Sequence, residues 1–446
     1  MSAVDATPRK TVAVVGGGWA GCAAAVELAA SGSRVTLFEA AHVLGGRARQ
    51  ACINGVLVDN GQHILLGAYT ESLRLMRMVG IDTGAAMLRL PLQMRYPCDS
   101  MDFIAARLPA PVHLLVALLR AKGLAAADKL ALARFSTAAR WMGWVLNTDC
   151  TVAELLDRFD QTERLIRLLW RPLCIAALNI PPEDASANVF LSVLRDSLGA
   201  NKRAASDMLL PRTDLTALFP ESAANFIRSR DGSVLLGQTV RQLQRHEPGW
   251  RLGTSGQGAA ENTYFDAVVV AASSVQTATL VGDHADIGLL SSLNHEPITT
   301  CYLQYPPGVR LAHPFFALRD EPDSAKWGQF VFDRGQLFSD QEGLLAVIVS
   351  AASSVSAIDK GELERAIAIQ LTEEFGRPEL AVPLWARTIS EKRATFACTP
   401  SLPRPGNETG VEGLVIAGDY TDSNYPSTLE SAVRSGVRAA QLILQG

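Results

Sequence analysis

The stretch Thr11-Val12-Ala13-Val14-Val15-Gly16-Gly17-Gly18-Trp19-Ala20-Gly21 decides the fold, together with the alanine-rich run that follows it to Ala30. A short β-branched run stops at a glycine cluster, and a helix-forming run starts at once and closes at Ser31-Gly32. Arg34 to Phe38 is a second short apolar strand ending at Glu39. Strand, tight turn, helix and strand in this span predict parallel pairing, since a crossover helix returns the chain in the same direction. Gly16 to Gly21 also satisfies G-x-G-x-x-G, which serves a tight turn, close approach of a pyrophosphate and close helix–strand packing. The helix N-terminus presents free amides and its positive dipole end to phosphate. Glu39, 18 positions after Gly21, can accept hydrogen bonds from ribose hydroxyls. The ligand expected here is FAD or NAD.

Working outward, Gly45-Gly46-Arg47 can bring amides and a guanidinium onto the same pyrophosphate, which suits the longer FAD better. Val58-Asp59-Asn60-Gly61-Gln62-His63 is a turn of small and polar residues. Tyr69 to Asn225 is dominated by helical patterns. Ser233 to Val240, Trp250 to Leu252 and Phe265 to Ala271 read as strands, and a mixed segment runs from Ser273 to Pro405. Leu414 to Ala417 is a further strand, followed by Gly418-Asp419, and Ser427 to Leu444 is a closing helix. The expected fold class is α/β: a Rossmann-like FAD-binding domain built on a parallel sheet, with an inserted α+β substrate domain. The FAD-binding domain is expected to take residues 1–84, 226–275 and 411–446, and the substrate domain 85–225 and 276–410.

Composition sets the limits. A chain of 446 residues with 48% hydrophobic and 19% charged residues can bury two sizeable cores. A net charge of −4 gives no basis for nucleic-acid binding. The seven cysteines (Cys22, Cys52, Cys98, Cys150, Cys174, Cys301, Cys398) are scattered, which reads as reduced cytosolic thiols and no metal site. Met1 to Lys10 lacks the apolar run of a signal peptide, and no stretch reaches the roughly 18 apolar residues of a membrane span. A cytoplasmic protein is expected. Phe103 to Leu124, which carries Arg107, Arg120 and Lys122, reads either as a core helix or as a surface lying against a bilayer. Arg164, Arg167 and Arg171 form a basic helical stripe, read as a solvated face or as a diphosphate or lipid-headgroup site.

V-x-G-G-G-x-A-G, L-F-E-A, G-G-R and D-N-G-Q-H together resemble the N-terminal signature of the amine oxidase and phytoene desaturase flavoproteins. The resemblance implies that Gly16, Gly18, Trp19, Ala20, Gly21, Glu39 and Ala40 hold the ADP half of FAD. It implies Gly46 and Arg47 at the pyrophosphate, and Gly61, Gln62 and His63 beside the flavin. Gly418 and Asp419 would meet the ribityl–phosphate region. Thr428 and Leu429 would offer amides to the flavin pyrimidine and stabilise negative charge on reduced flavin. Val240 would back the adenine, although a plain core valine reads the same way.

Three middle blocks, Trp170 to Asn179, Phe190 to Leu198 and Glu391 to Phe396, resemble the hydroxysqualene dehydroxylases, also called squalene-associated FAD-dependent desaturases. That resemblance implies hydride delivery from reduced FAD to an allylic carbon of an isoprenoid lipid, hydroxysqualene, with loss of water. The leaving oxygen needs an acid and the cation a dry channel. Asp207, Arg212, Tyr302, Lys392 and Arg393 are the polar candidates, with Arg393 also a candidate for the flavin itself. Tyr425 is a candidate pocket wall. Rival readings are a carotenoid-type desaturase or isomerase, an amine oxidase with flavin tethered through Cys398, and a non-catalytic flavin- or lipid-binding protein.

Overall fold

The structure is a computed structural model that describes residues 9–97, 100–256 and 264–446. Cys98 and the first eight residues, on which part of the N-terminal reading rests, lie outside them.

Five strands form one sheet in the order Ser233–Leu236, Arg34–Glu39, Thr11–Val15, Ala267–Val270 and Leu414–Ile416. Each neighbouring pair is parallel. Val12, Ala13 and Val14 are fully buried, as is the run Ala267 to Val270, because both faces of the sheet are covered. The helix Trp19–Ala30 covers one face and crosses the closing helix Leu429–Gln445. Small residues permit this crossing: a Cβ on Gly436 would lie 2.1 Å from the Ala20 carbonyl oxygen. Since all five strands run the same way, Glu39 at the end of its strand and Gly16, Ala271 and Gly418 beyond theirs lie along one edge. In open parallel sheets that edge holds the ligand.

Several elements differ from the sequence expectation. Ser233 to Val240 divides at Gly237, whose φ of 67° turns the chain. Its second part, Thr239–His246, joins Gly249–Ser255 and Tyr264–Phe265 in a separate antiparallel sheet. Phe265 to Ala271 likewise divides at Asp266, whose carboxylate accepts from the Thr11 amide (2.6 Å) and hydroxyl (2.8 Å). The helical region between 69 and 225 is interrupted by short strands at Met87–Leu90, Gln93–Arg95, Asp102–Ile104 and Met208–Pro211. At three or four residues each, they are too short to display a period of two.

A second large sheet is antiparallel, in the order Phe315–Ala317, Phe330–Asp333, Leu344–Val349, His295–Gln304 and Trp385–Phe396. Its Cys301, Leu303, Leu345 and Val347 are buried with Leu363, Ile367 and Leu371 of the helix Lys360–Phe375. Its edge is irregular at one place. Glu296 pairs with Thr395 and Ile298 with Glu391, so Lys392, Arg393 and Ala394 bulge out opposite Pro297.

Candidate flavin site

The glycine loop is fixed from within. Gly16 donates to the Phe38 carbonyl (2.8 Å), and Gly45 donates to that of Gly17 (2.9 Å). A Cβ on Gly21 would fall 1.8 Å from the Gly16 oxygen, so only glycine lets helix and loop meet. Gly18 is different: a Cβ there would meet no atom closer than 3.9 Å. Its backbone is ordinary, with φ of −73°, and it stands at the helix N-cap without a side-chain cap. The protein alone does not require glycine at this point, whereas a group resting on the free amides would. That open cradle fits a pyrophosphate.

Glu39 has a prior task. One carboxylate oxygen accepts from the Gly17 amide (2.6 Å) and the other from Ala41 (2.8 Å), which pins the loop to the strand end. Each oxygen keeps a lone pair for a ribose hydroxyl. Ala40 beside it is exposed. Val240 is buried, two residues after Gln238, whose amide donates to the Glu39 carbonyl (2.9 Å). Trp19 contributes its position in the first helical turn; its indole is buried and donates to the Ala48 carbonyl (3.2 Å).

Arg47 joins the two ends of the chain. Its guanidinium reaches Asp419 at 2.5 Å and the Ala394 carbonyl at 2.7 Å. The side chain remains 40% exposed against 6% for Asp419, so it borders open space while its partner is sealed. Burial alone would raise the Asp419 carboxyl, but Arg47 and the Ser427 hydroxyl outweigh it and hold it below the usual carboxylate range. The bulge at Lys392–Ala394 turns carbonyls toward Arg47, and Asn60 bridges the Arg47 carbonyl (3.1 Å) and Glu391 (3.2 Å). Asn60 and Ser427 stood inside the quoted stretches without being singled out.

The Asp59–His63 turn is held by charge. Arg334, fully buried, donates to Gln62 (2.5 Å), Asp59 (3.4 Å) and Gln341 (2.5 Å). Gln62 therefore points into this network. His63 Nδ1 lies 2.8 Å from the Gly61 carbonyl, which assigns the proton to Nδ1. Burial lowers the pKa of the imidazole, which keeps it neutral. At the other end, Thr428 caps the closing helix by accepting from the Ser431 amide (3.1 Å), leaving the amides of its first turn open beside Asp419. Gly418 donates to Ser435 (2.9 Å).

The five polar candidates do not form one cluster. Asp207 is buried with both oxygens taken, by Arg89 (3.0 Å) and Arg203 (3.1 Å). Tyr302, also buried, donates to the Asp59 carbonyl (2.7 Å) and so supports the turn from Asp59 to His63. Arg212 is exposed beside the loop from Gly335 to Asp340. Lys392 and Arg393 are exposed on the bulge, and the Arg393 carbonyl lies 3.4 Å from Arg47. Cys398 is buried and its thiol is pushed up to about 12 by burial, which removes it as a nucleophile. Of the basic stripe, Arg171 pairs with Asp320 (3.2 Å), Arg164 donates to the Gly123 carbonyl (2.6 Å), and Arg167 is exposed.

The three middle blocks meet this site. Asn179, left-handed at φ of 55°, ends the helix Arg171–Leu178 and donates to Thr395 (2.9 Å) and Glu296 (3.2 Å), flanking the bulge. Asp196 accepts the hydroxyl of Tyr425, and Arg434 stacks over that ring at 4.7 Å. Burial alone would raise the Asp196 carboxyl; its bonds from Arg195 and Tyr425 prevail and lower it.

A parallel sheet with a phosphate cradle at its C-terminal edge, and an arginine–carboxylate pair joining two distant loops, defines a flavin-dependent oxidoreductase. Residues 19–444 match the family described as flavin containing amine oxidoreductase, and the chain belongs to it. It is 29% identical to a hydroxysqualene dehydroxylase of Rhodopseudomonas palustris, over 98% of each chain. It is 28% identical to one from Sinorhizobium fredii, again over 98% of each. Among solved structures, a putative protoporphyrinogen oxidase from Exiguobacterium superposes with a TM-score of 0.70 at 18% identity, covering 99% of this chain and 100% of the other.

Proposed function

We propose that the flavin is FAD and that the chain reduces hydroxysqualene to squalene, in a bacterial squalene and hopanoid route. The observation that carries this reading is the convergence of the three middle blocks, which resemble hydroxysqualene dehydroxylases, on the Arg47–Asp419 site and its flanking turn. The near full-length likeness to proteins of that name supports it.

When bound in reduced form, FAD supplies a hydride. The substrate takes up that hydride and a proton, its allylic C–O bond breaks, and water leaves. The chain's own part is positional and electrostatic. The open amides at Gly18, with the Arg47 guanidinium, would hold the diphosphate, and Asp419 keeps Arg47 in place. The amides opening the closing helix at Thr428 and Leu429 would stabilise negative charge on the reduced flavin. Trp170, Phe190 and Leu194 are buried in the middle blocks, and this apolar region would wall the substrate channel and keep water from an allylic cation. Tyr425, anchored on Asp196, presents its ring where the middle block meets the closing turn.

The test is a single turnover. Protein reduced without oxygen and mixed with hydroxysqualene should reoxidise its flavin and yield squalene in equal amount. Bleaching of oxidised flavin by a polyene, with no turnover of hydroxysqualene, would move the chain to the carotenoid-type desaturases.

A further inference from the structure

Two helices of the helical region turn large apolar side chains outward. In Val112–Arg120, His113 and Ala117 are buried one turn apart, whereas Val112, Leu115 (55% exposed) and Leu119 (66% exposed) face out. Leu108 just before it is exposed as well. In Ala126–Trp141 the inward side is Ala131, Leu132, Phe135 and Ala139. Its outward stripe runs from Leu130 through Arg134 to Trp141, which is 87% exposed. Lys129 donates to the Leu119 carbonyl (2.9 Å) and so ties the second helix to the end of the first.

The charges of this region are one-sided. Arg107, Arg120, Lys122, Arg134 and Arg140 are all exposed. Asp128 is the one acid between Phe103 and Asn147, and it is buried, accepting from the Ala125 amide (2.8 Å) and Thr162 (2.7 Å). The rest of the chain is acidic, since the whole carries −4.

We infer that this face docks on an anionic lipid bilayer. Leucines and an indole protruding between cations match the boundary between headgroups and acyl chains, where aromatic rings and basic side chains each find their own layer. A second copy is a poorer fit, because a two-fold contact would set these five cations against their own counterparts. No helix among the described residues is long and apolar enough to cross a membrane, so the contact lies on the surface.

The flavin-loaded protein would be sedimented with phosphatidylcholine vesicles, with and without phosphatidylglycerol. The vesicles hold no substrate, so the outcome is independent of the reaction proposed above. Binding is expected only with phosphatidylglycerol, and it should weaken with salt. Arg120→Ser and Lys122→Ser should each lower partitioning about fivefold. Leu115→Ser with Leu119→Ser, or Trp141→Ser as a separate variant, should release the protein from the vesicles while its flavin absorbance stays normal. Wild-type protein left in the supernatant with both vesicle types would overturn the inference. So would variants binding like wild type, or a vesicle-free dimer that Leu115→Ser with Leu119→Ser abolishes.

Discussion

Asp419 and Asp59 are both sealed carboxylates facing an arginine, yet their charges respond to acid in opposite ways. Asp419 is held below the usual carboxylate range by Arg47 and Ser427 in spite of its burial. Its contribution to stability is therefore present at neutral pH and lost only as the pH falls below the ordinary carboxylate range. Arg47→Met strands that charge and should cost about 3 kcal/mol, the low end for a broken buried pair because Arg47 itself borders open space. Urea unfolding would read the loss, and the purified variant should be nearly colourless. Asp59 goes the other way: burial pushes it up to about 6, against the opposing pull of Arg334. The folded chain then holds a proton that the unfolded chain has released, so this contribution declines as the pH rises through about 4 to 6. Thermal scans of Asp59→Asn across that range should lack this part of the slope; an unchanged slope would reassign the titration.

Among elements, the closing helix holds together more of the molecule than the cofactor role proposed for it would require. Glu430 at its start is fully buried and accepts from the amides of Glu71 (3.1 Å) and Ser72 (2.9 Å), capping the helix Thr70–Met78, while Arg434 donates back to it at 2.7 Å. Glu430→Gln keeps the shape but removes the charge from these bonds and should cost about 2 kcal/mol, measured by urea unfolding. The start of this helix was readable from Pro426 to Glu430, since an N-cap and its following acid are local signals. Glu430 as the cap of another helix was not, because its partners lie 358 and 359 residues away. The same contrast holds for strands. Thr11–Val15 and Arg34–Glu39 stand out through a change of period within a few residues, whereas Met208–Pro211 exists only because Met87–Leu90 and Leu65–Leu66 lie beside it.

Over the whole molecule, Tyr425 ties the closing turn to the block Phe190–Leu198, and Asn179 ties the block Trp170–Asn179 to the bulged strand. Tyr425→Phe removes a hydrogen bond to a charged partner. It should leave flavin bound but slow substrate-driven reoxidation about tenfold, as the loss of about 1.4 kcal/mol of positioning would do. Stopped-flow traces with unchanged rates would confine Tyr425 to packing. The sequence blocks pointed to a shared task for these segments, but not to the residues that execute it. Asp207 and Arg212 drew notice through polarity alone, and one proved to be clamped by two arginines while the other sits at the surface. Arg334 drew none, being a single cation 275 residues from the Asp59 it holds.

The Arg47–Asp419 pair also sets a schedule for synthesis. Its members lie 372 residues apart, and the strand Leu414–Ile416 completes the edge of the parallel sheet. At a typical ribosomal rate, roughly 20 to 75 seconds separate the appearance of the arginine from that of its carboxylate. If the flavin rests on this pair, as proposed, the nascent chain lacks half of that anchor throughout the interval, and cofactor capture would be a late event. A product truncated before Asp419 is then expected to purify without bound flavin, which its absorbance would show.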